Sequence, residues 1–194
     1  MSIRRFAARR ALRAMAVAGA LAAAPAETRA TSSWAIDPTR THIDFVVDAV
    51  AFPQTHGEFK KFEGRIAVDF DRPERSRVEF VVNSASVELG SSSFDDFVRG
   101  EAMLNAPRYP EIGFVSTSVK KLDERTVRVS GNLTLLGVTR PLDVDVQVQR
   151  DGARRRLEFS AKAKIDRLEF GMNSGYPVIS RDVELTISSE AFES

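Results

Sequence analysis

Thr41-His-Ile-Asp-Phe-Val-Val-Asp48 decides the fold class. Ile43, Phe45 and Val47 fall on one face and His42, Asp44 and Asp48 mostly on the other, the alternation of a half-buried β-strand. Working outward, seven more stretches repeat the pattern: 64–70, 77–87, 112–119, 126–136, 142–148, 154–165 and 183–192. The breakers between them, such as Asp71-Arg72-Pro73, Lys121-Leu-Asp-Glu124, Gly137-Val-Thr-Arg-Pro141 and Gln149-Arg-Asp-Gly152, have hairpin lengths. They are too short for parallel crossovers, so the spacing predicts an antiparallel meander of eight strands. Such a meander closes into a barrel or splits into a sandwich, and alternation alone does not choose between them.

Two segments break the period. Across 91–104, Phe94, Phe97, Val98 and Leu104 share one side of a helix, with Ser92 or Ser93 as its cap and Pro107 beyond it. Residues 166–180 form a long irregular connection whose Phe170, Met172 and Tyr176 are large enough to plug an opening. The loop reading also takes in Pro53-Gln-Thr-His-Gly57.

The N-terminal thirty residues read as an export signal. Six arginines and one glutamate lie there, followed from Ala14 to Ala24 by eleven uncharged, mostly apolar residues, and small residues allow cleavage after Ala26 or Ala30. Eleven residues span roughly 16 Å as a helix, against about 30 Å of bilayer core, so no stable membrane insertion is expected. An Arg-rich organelle-targeting peptide is the alternative. The pairs Arg4-Arg5 and Arg9-Arg10 leave both the general and the twin-arginine route open. With cleavage, residues 31–194 become one periplasmic domain. The whole chain holds 28 basic and 27 acidic groups, but 31–194 alone holds 22 and 26, a net −4 that argues against nucleic-acid binding.

Chemistry is sparse. Cysteine is absent, which excludes thiol nucleophiles, iron–sulfur clusters, Cys-ligated zinc and disulfides. The two histidines, His42 and His56, lie on separate elements and make a poor metal site; no metal, cofactor or catalytic group is expected. No Gly-x-Ser-x-Gly elbow occurs. Asp95-Asp96 read as solvated charges at a helix start, and Lys60-Lys61 and Arg154-Arg-Arg156 as solvated faces. Twelve phenylalanines after the signal, against one Trp and two Tyr, suit a dry interior, either filled by those rings or shared with an apolar ligand.

Five segments in order resemble the YceI-like proteins. These are Trp34-Ala-Ile-Asp37 with Thr41-His-Ile-Asp-Phe45, His56-Gly57 through Gly64, Tyr109-Pro110 through Ser118, Gly131-Asn-Leu133-Thr134 through Pro141, and Arg167-Leu-Glu-Phe170-Gly171. One departure stands where the family has an Arg-Asp pair entering the helix, because this chain has Asp95-Asp96. The glycines 57, 64, 131 and 137 read as positions where hairpins tighten or strands bend. The resemblance implies an all-β, eight-stranded lipocalin-like barrel that binds a polyisoprenoid, an isoprenoid quinone or a fatty-acid-like lipid in the periplasm. It alone implies homodimerisation. On that basis Phe45, Phe59, Phe80, Phe97, Leu104, Phe114, Phe170 and Met172 are expected to contact the ligand, with 91–104 and 166–180 covering the mouth. A surface-acting module with a filled core and a lipid-directed hydrolase or isomerase using His42 or His56 are the alternatives.

Overall fold

The computed structural model of the protein describes residues 31–194, so the expected signal segment 1–30 and its cleavage points lie outside the described residues. The alternating stretches form eleven strands: β1 (Ser32–Ile36), β2 (His42–Ala49), β3 (Phe52–Phe59), β4 (Phe62–Val68), β5 (Arg77–Asn83), β6 (Val87–Glu88), β7 (Glu111–Lys121), β8 (Thr126–Leu135), β9 (Val138–Asp151), β10 (Arg156–Asp166) and β11 (Ile179–Glu193). All pairings are antiparallel. The order β1-β4-β5-β7-β8-β9-β10-β11 returns to β1, because β1 pairs with both β4 and β11. Closure resolves the choice between sandwich and barrel, and it removes the sheet edges along this ring.

Eleven strands and eight staves are the same object. β2 continues β1 along β11, which meets β1 at Ala191–Glu193 and β2 at 179–188. In the same way β3 runs into β4 and β5 into β6. Two of the three breaks hold a capped 3-10 turn. Asp37 accepts the N–H of Thr39 at 2.9 Å and caps a 3-10 turn between β1 and β2. Asn83 does the same for Ala85 at 2.9 Å between β5 and β6.

Several expectations need correction. Pro53 to Gly57 is strand, not loop. β3 pairs with β2 from Thr55 to Glu58 and again at Phe52, and meets β6 only at Glu58 and Phe59, so Pro53 sits in a register irregularity on an exposed edge, where a missing N–H is tolerated. Pro141 also lies inside a strand, β9, opposite Asn132 and before β10 joins at Asp145. The breaker is Leu136-Gly137, whose φ values of 53° and 73° make a two-residue hairpin of the type that matches strand twist. Gly57, Gly64 and Gly131 are strand interior. The helix α1 is shorter than 91–104: it spans Ser92–Arg99 and ends at Gly100, whose N–H reaches the Phe97 carbonyl at 3.2 Å. Asp95 is not a free solvated charge, since its carboxylate accepts the Leu89 N–H at 2.6 Å.

Apolar side chains gather in two clusters. One, at the end of the barrel where α1 and the 166–180 connection lie, includes Phe45, Val87, Met103, Leu104, Leu133, Leu135, Phe170 and Met172. The other, at the opposite end, is Trp34 with Ile66, Leu157 and Ala191.

Candidate functional site

Between the two clusters the barrel is not filled. A cavity of about 800 Å³ runs along its interior, walled by inward-facing residues at every second position. β8 contributes Val127, Val129, Leu133 and Leu135; β10 contributes Phe159, Ala161, Ala163 and Ile165. Small residues on the wall leave the space open, because the barrel's eight staves would otherwise be just wide enough for side chains to fill. Two glycines let rings lie flat on the neighbouring strand. A Cβ on Gly57, opposite Phe45, would lie 2.6 Å from Cε1 of that ring, and one on Gly131 would lie 2.7 Å from Cε2 of Phe114.

Seven of the eight residues expected at the site stand on the cavity wall: Phe45, Phe59, Phe80, Phe97, Leu104, Phe114 and Met172. Phe45 and Phe59 are 5.6 Å apart between ring centroids. Phe97 is 45% exposed and lies at the mouth. Phe170 is buried but behind the wall, packed in the cluster around Met103 and Leu104. Of the three candidate plugs in 166–180, Phe170 and Met172 are buried and Tyr176 turns outward. Emphasis on phenylalanine passed over the aliphatic wall of β8 to β11, including Leu133, Val144 and Leu185, which the same alternation would have found.

The two ends differ chemically. At the α1 end the wall is Phe94, Phe97, Val98, Met103 and Leu104, with Asp48, Thr55 and Arg167 as its polar members. At the far end the wall includes Asp69, Lys121, Asp123, Glu124, Arg125 and Arg150. There Phe70 lies between Trp34, edge-on at 6.1 Å, and the Arg150 guanidinium, 4.2 Å above its ring.

Arg167 organises the mouth. Its side chain is 1% exposed and donates to three carbonyls: Nε to Ser180 at 2.7 Å, Nη2 to Ile179 at 2.9 Å, and Nη1 to Met172. One guanidinium thereby ties both ends of the 172–180 connection to the end of β10. Burial pushes its pKa below the ordinary guanidinium range, and the adjacent Asp166 carboxylate acts in the opposite sense. Asp166 itself is held below the usual carboxylate range by its hydrogen bond from Arg181, at 2.8 Å from Nε.

His42 and His56 are both exposed and neither lines the cavity, which leaves no imidazole in reach of a molecule bound there. Among the described residues no group of three His, Cys, Asp or Glu side chains is placed to hold a metal. Within the basic runs Lys60 pairs with Glu58, Arg154 with Asp151 at 3.6 Å, Arg155 with Glu193 at 2.8 Å and Arg156 with Glu158 at 2.6 Å. No helix among the described residues is long and apolar enough to cross a membrane.

Comparison with known proteins agrees with this architecture. A family model described as the YceI-like domain matches residues 34–191. "Protein YceI" from Salmonella newport is 30% identical over 168 residues, covering 84% of this chain and 87% of that protein, and the protein of that name from Salmonella arizonae matches equally well. Among solved structures, Burkholderia cenocepacia BcnA superposes with a TM-score of 0.75 at 24% identity, over 80% of this chain and 98% of that one. A polyisoprenoid binding domain from Saccharophagus degradans, implicated in plant cell wall breakdown, superposes with a TM-score of 0.68 at 17% identity, over 84% of this chain and 99% of that one. At these identities the solved structures establish the barrel fold.

Proposed function

The chain belongs to the YceI-like domain family, and from that premise we propose that it is a periplasmic protein that sequesters or carries one long-chain apolar molecule inside its barrel. The ligand class is polyisoprenoid, isoprenoid quinone or fatty-acid-like lipid. The observation that carries this reading is the cavity of about 800 Å³, within the range of small-molecule sites and walled along its middle by aliphatic and aromatic side chains. A module acting through its surface over a filled core would have no such space. The description of one structural neighbour as a polyisoprenoid binding domain supports the ligand class.

The energetics suit a chain-like ligand. Each buried methylene contributes about 0.8 kcal/mol, so ten contribute about 8 kcal/mol before association and ordering costs. Micromolar affinity then needs no ionic anchor, in keeping with a wall whose middle is free of charge. The test is native mass spectrometry and organic extraction of protein purified from its own periplasm, followed by titration with an isoprenoid alcohol. A co-purified long-chain molecule, or saturable uptake of the alcohol, is expected. Protein that is lipid-free and takes up no isoprenoid would overturn the reading.

A further inference from the structure

Six large apolar side chains that solvent reaches gather at one end of the barrel. They are Val50 and Phe52 at the β2–β3 turn, Phe94 and Phe97 on α1, and Tyr176 and Val178 before β11. Exposure runs from 45% at Phe97 to 69% at Val50 and Phe52. The turn and the connection are one surface, because the Val50 N–H donates to the Val178 carbonyl at 2.8 Å. Phe94 and Phe97 also line the cavity, so the patch is continuous with its mouth. Exposed apolar groups of this size in one place mark an interaction surface.

Charge identifies the occupant. In a chain that is 28% charged, residues 49–57 and 170–180 contain no Asp, Glu, Lys or Arg. On α1, Asp95 is bound to the Leu89 backbone, and Arg99 donates to the Val87 carbonyl at 2.5 Å and lies 3.7 Å from the exposed Asp96, which with Asp48 leaves two exposed carboxylates beside the patch. The rim therefore offers little for a charged partner to complement. Strand addition by a second copy is opposed on the exposed edge of β3, where Pro53 supplies no donor. Uncharged aromatic and aliphatic tips around an apolar opening suit the interfacial layer of a bilayer, where Tyr and Phe combine apolar burial with tolerance of the headgroup region.

We propose that this rim is a peripheral docking face for a lipid bilayer, so that the mouth of the cavity opens onto the membrane surface. The inference rests on the lipid-binding reading for its purpose, since a bilayer is where such a ligand would be collected and left. Docking by apolar tips alone is weak, persists on neutral lipid, and is insensitive to salt.

The test is flotation of the purified protein with phosphatidylcholine vesicles at low and high salt, beside a Val50→Asp, Phe52→Asp, Val178→Asp variant. None of these three residues lines the cavity. Wild type is expected to float equally at both salt concentrations, and the variant to lose roughly tenfold or more in vesicle partitioning with its thermal midpoint and detergent-delivered isoprenoid uptake unchanged. A milder Phe52→Ser, Tyr176→Ser variant, expected to show a smaller loss, serves if the triple variant does not fold. Unchanged flotation of either folded variant overturns the proposal. So does wild-type binding confined to anionic vesicles and abolished by salt, or a concentration-dependent doubling of mass that the substitutions remove without any vesicle binding. Flotation with no isoprenoid uptake would overturn the ligand reading and leave the docking face standing; uptake without flotation does the reverse.

Discussion

Replacing Arg167 by Met should unfasten the mouth. The guanidinium is buried and serves three carbonyls, those of Met172, Ile179 and Ser180. Hydrogen bonds to charged groups contribute about 1.5–3 kcal/mol each, and a buried acceptor left alone costs about 1–3 kcal/mol. Against this loss, Met removes a charge that burial already disfavours, the same effect that lowers the Arg167 pKa. The net expectation is a loss of about 3–5 kcal/mol, which for a domain of this size lowers Tm by roughly 10 °C. Arg167→Lys keeps the charge but not the planar fork, so it should recover less than half of that loss. The assay is urea denaturation of both variants, with the m-value checked for two-state behaviour, alongside the rate at which a loaded fluorescent fatty acid leaves the barrel. Faster release is expected because Met172 and Ile179, both on the cavity wall, are no longer held. If Arg167→Met falls within about 0.5 kcal/mol of wild type, the guanidinium does not fasten the connection and the reasoning fails.

Other perturbations probe the interior and the surface separately. Gly57→Val should drive the Phe45 ring into the cavity, costing about 1–3 kcal/mol and weakening isoprenoid uptake, read by denaturation and titration. Ala161→Phe fills the cavity from β10, so uptake should fall while Tm holds or rises; unchanged uptake would refute the placement of the ligand. Organic extraction of bound lipid should lower Tm, and reloading at a hundredfold excess over Kd should return about 2.7 kcal/mol, roughly 5–10 °C by calorimetry. Asp37, Asp145, Asp166 and Glu193 all titrate below the usual carboxylate range, chiefly through hydrogen bonds from Thr39, Arg128, Arg181 and Arg155. Their stabilisation is present above the unfolded value near about 4 and lost as pH falls through the lower folded values, so Tm should be level from about pH 6 to 8 and drop below about pH 4.

The eight staves were legible because each buries one face, and burial on one face writes a period of two into the sequence. Their interruptions were not. Trp34 and Ile43 lie on one interrupted stave, but the Pro38–Arg40 turn hides the continuity from any alternation count. Pro53 and Pro141 misled for a related reason: a proline signals a break only where a neighbouring strand demands its N–H, and Pro53 sits in a register irregularity on an edge while Pro141 has a partner on one side alone. The glycines carried the subtler message. Gly57 and Gly131 read as bends, and their role is to make room for Phe45 and Phe114, a relation between strands that no single stretch contains. The mouth is the least legible part, since the carbonyls that bind Arg167 belong to Met172, Ile179 and Ser180, whose side chains have no bearing on the contact.

The size of the cavity bears on why the sequence is as it is. Voids left in apolar cores cost on the order of 24 cal/mol per Å³, so about 800 Å³ held as dry empty space would amount to about 19 kcal/mol. That exceeds the whole stability of an ordinary domain, about 5–15 kcal/mol. Water is a poor filler along the middle, where Val129, Leu133, Val144, Ala161 and Leu185 offer it no partners. An interior of this kind is therefore no packing accident. The side chains that could fill it are small at Ala161 and Ala163, while Trp34, Leu157 and Met103 are buried at the ends. A sequence shaped only for stability, with no disulfide to help it, would have filled the centre first. Leaving the centre open while closing the ring and packing both ends is consistent with a barrel whose core is completed by the molecule it holds.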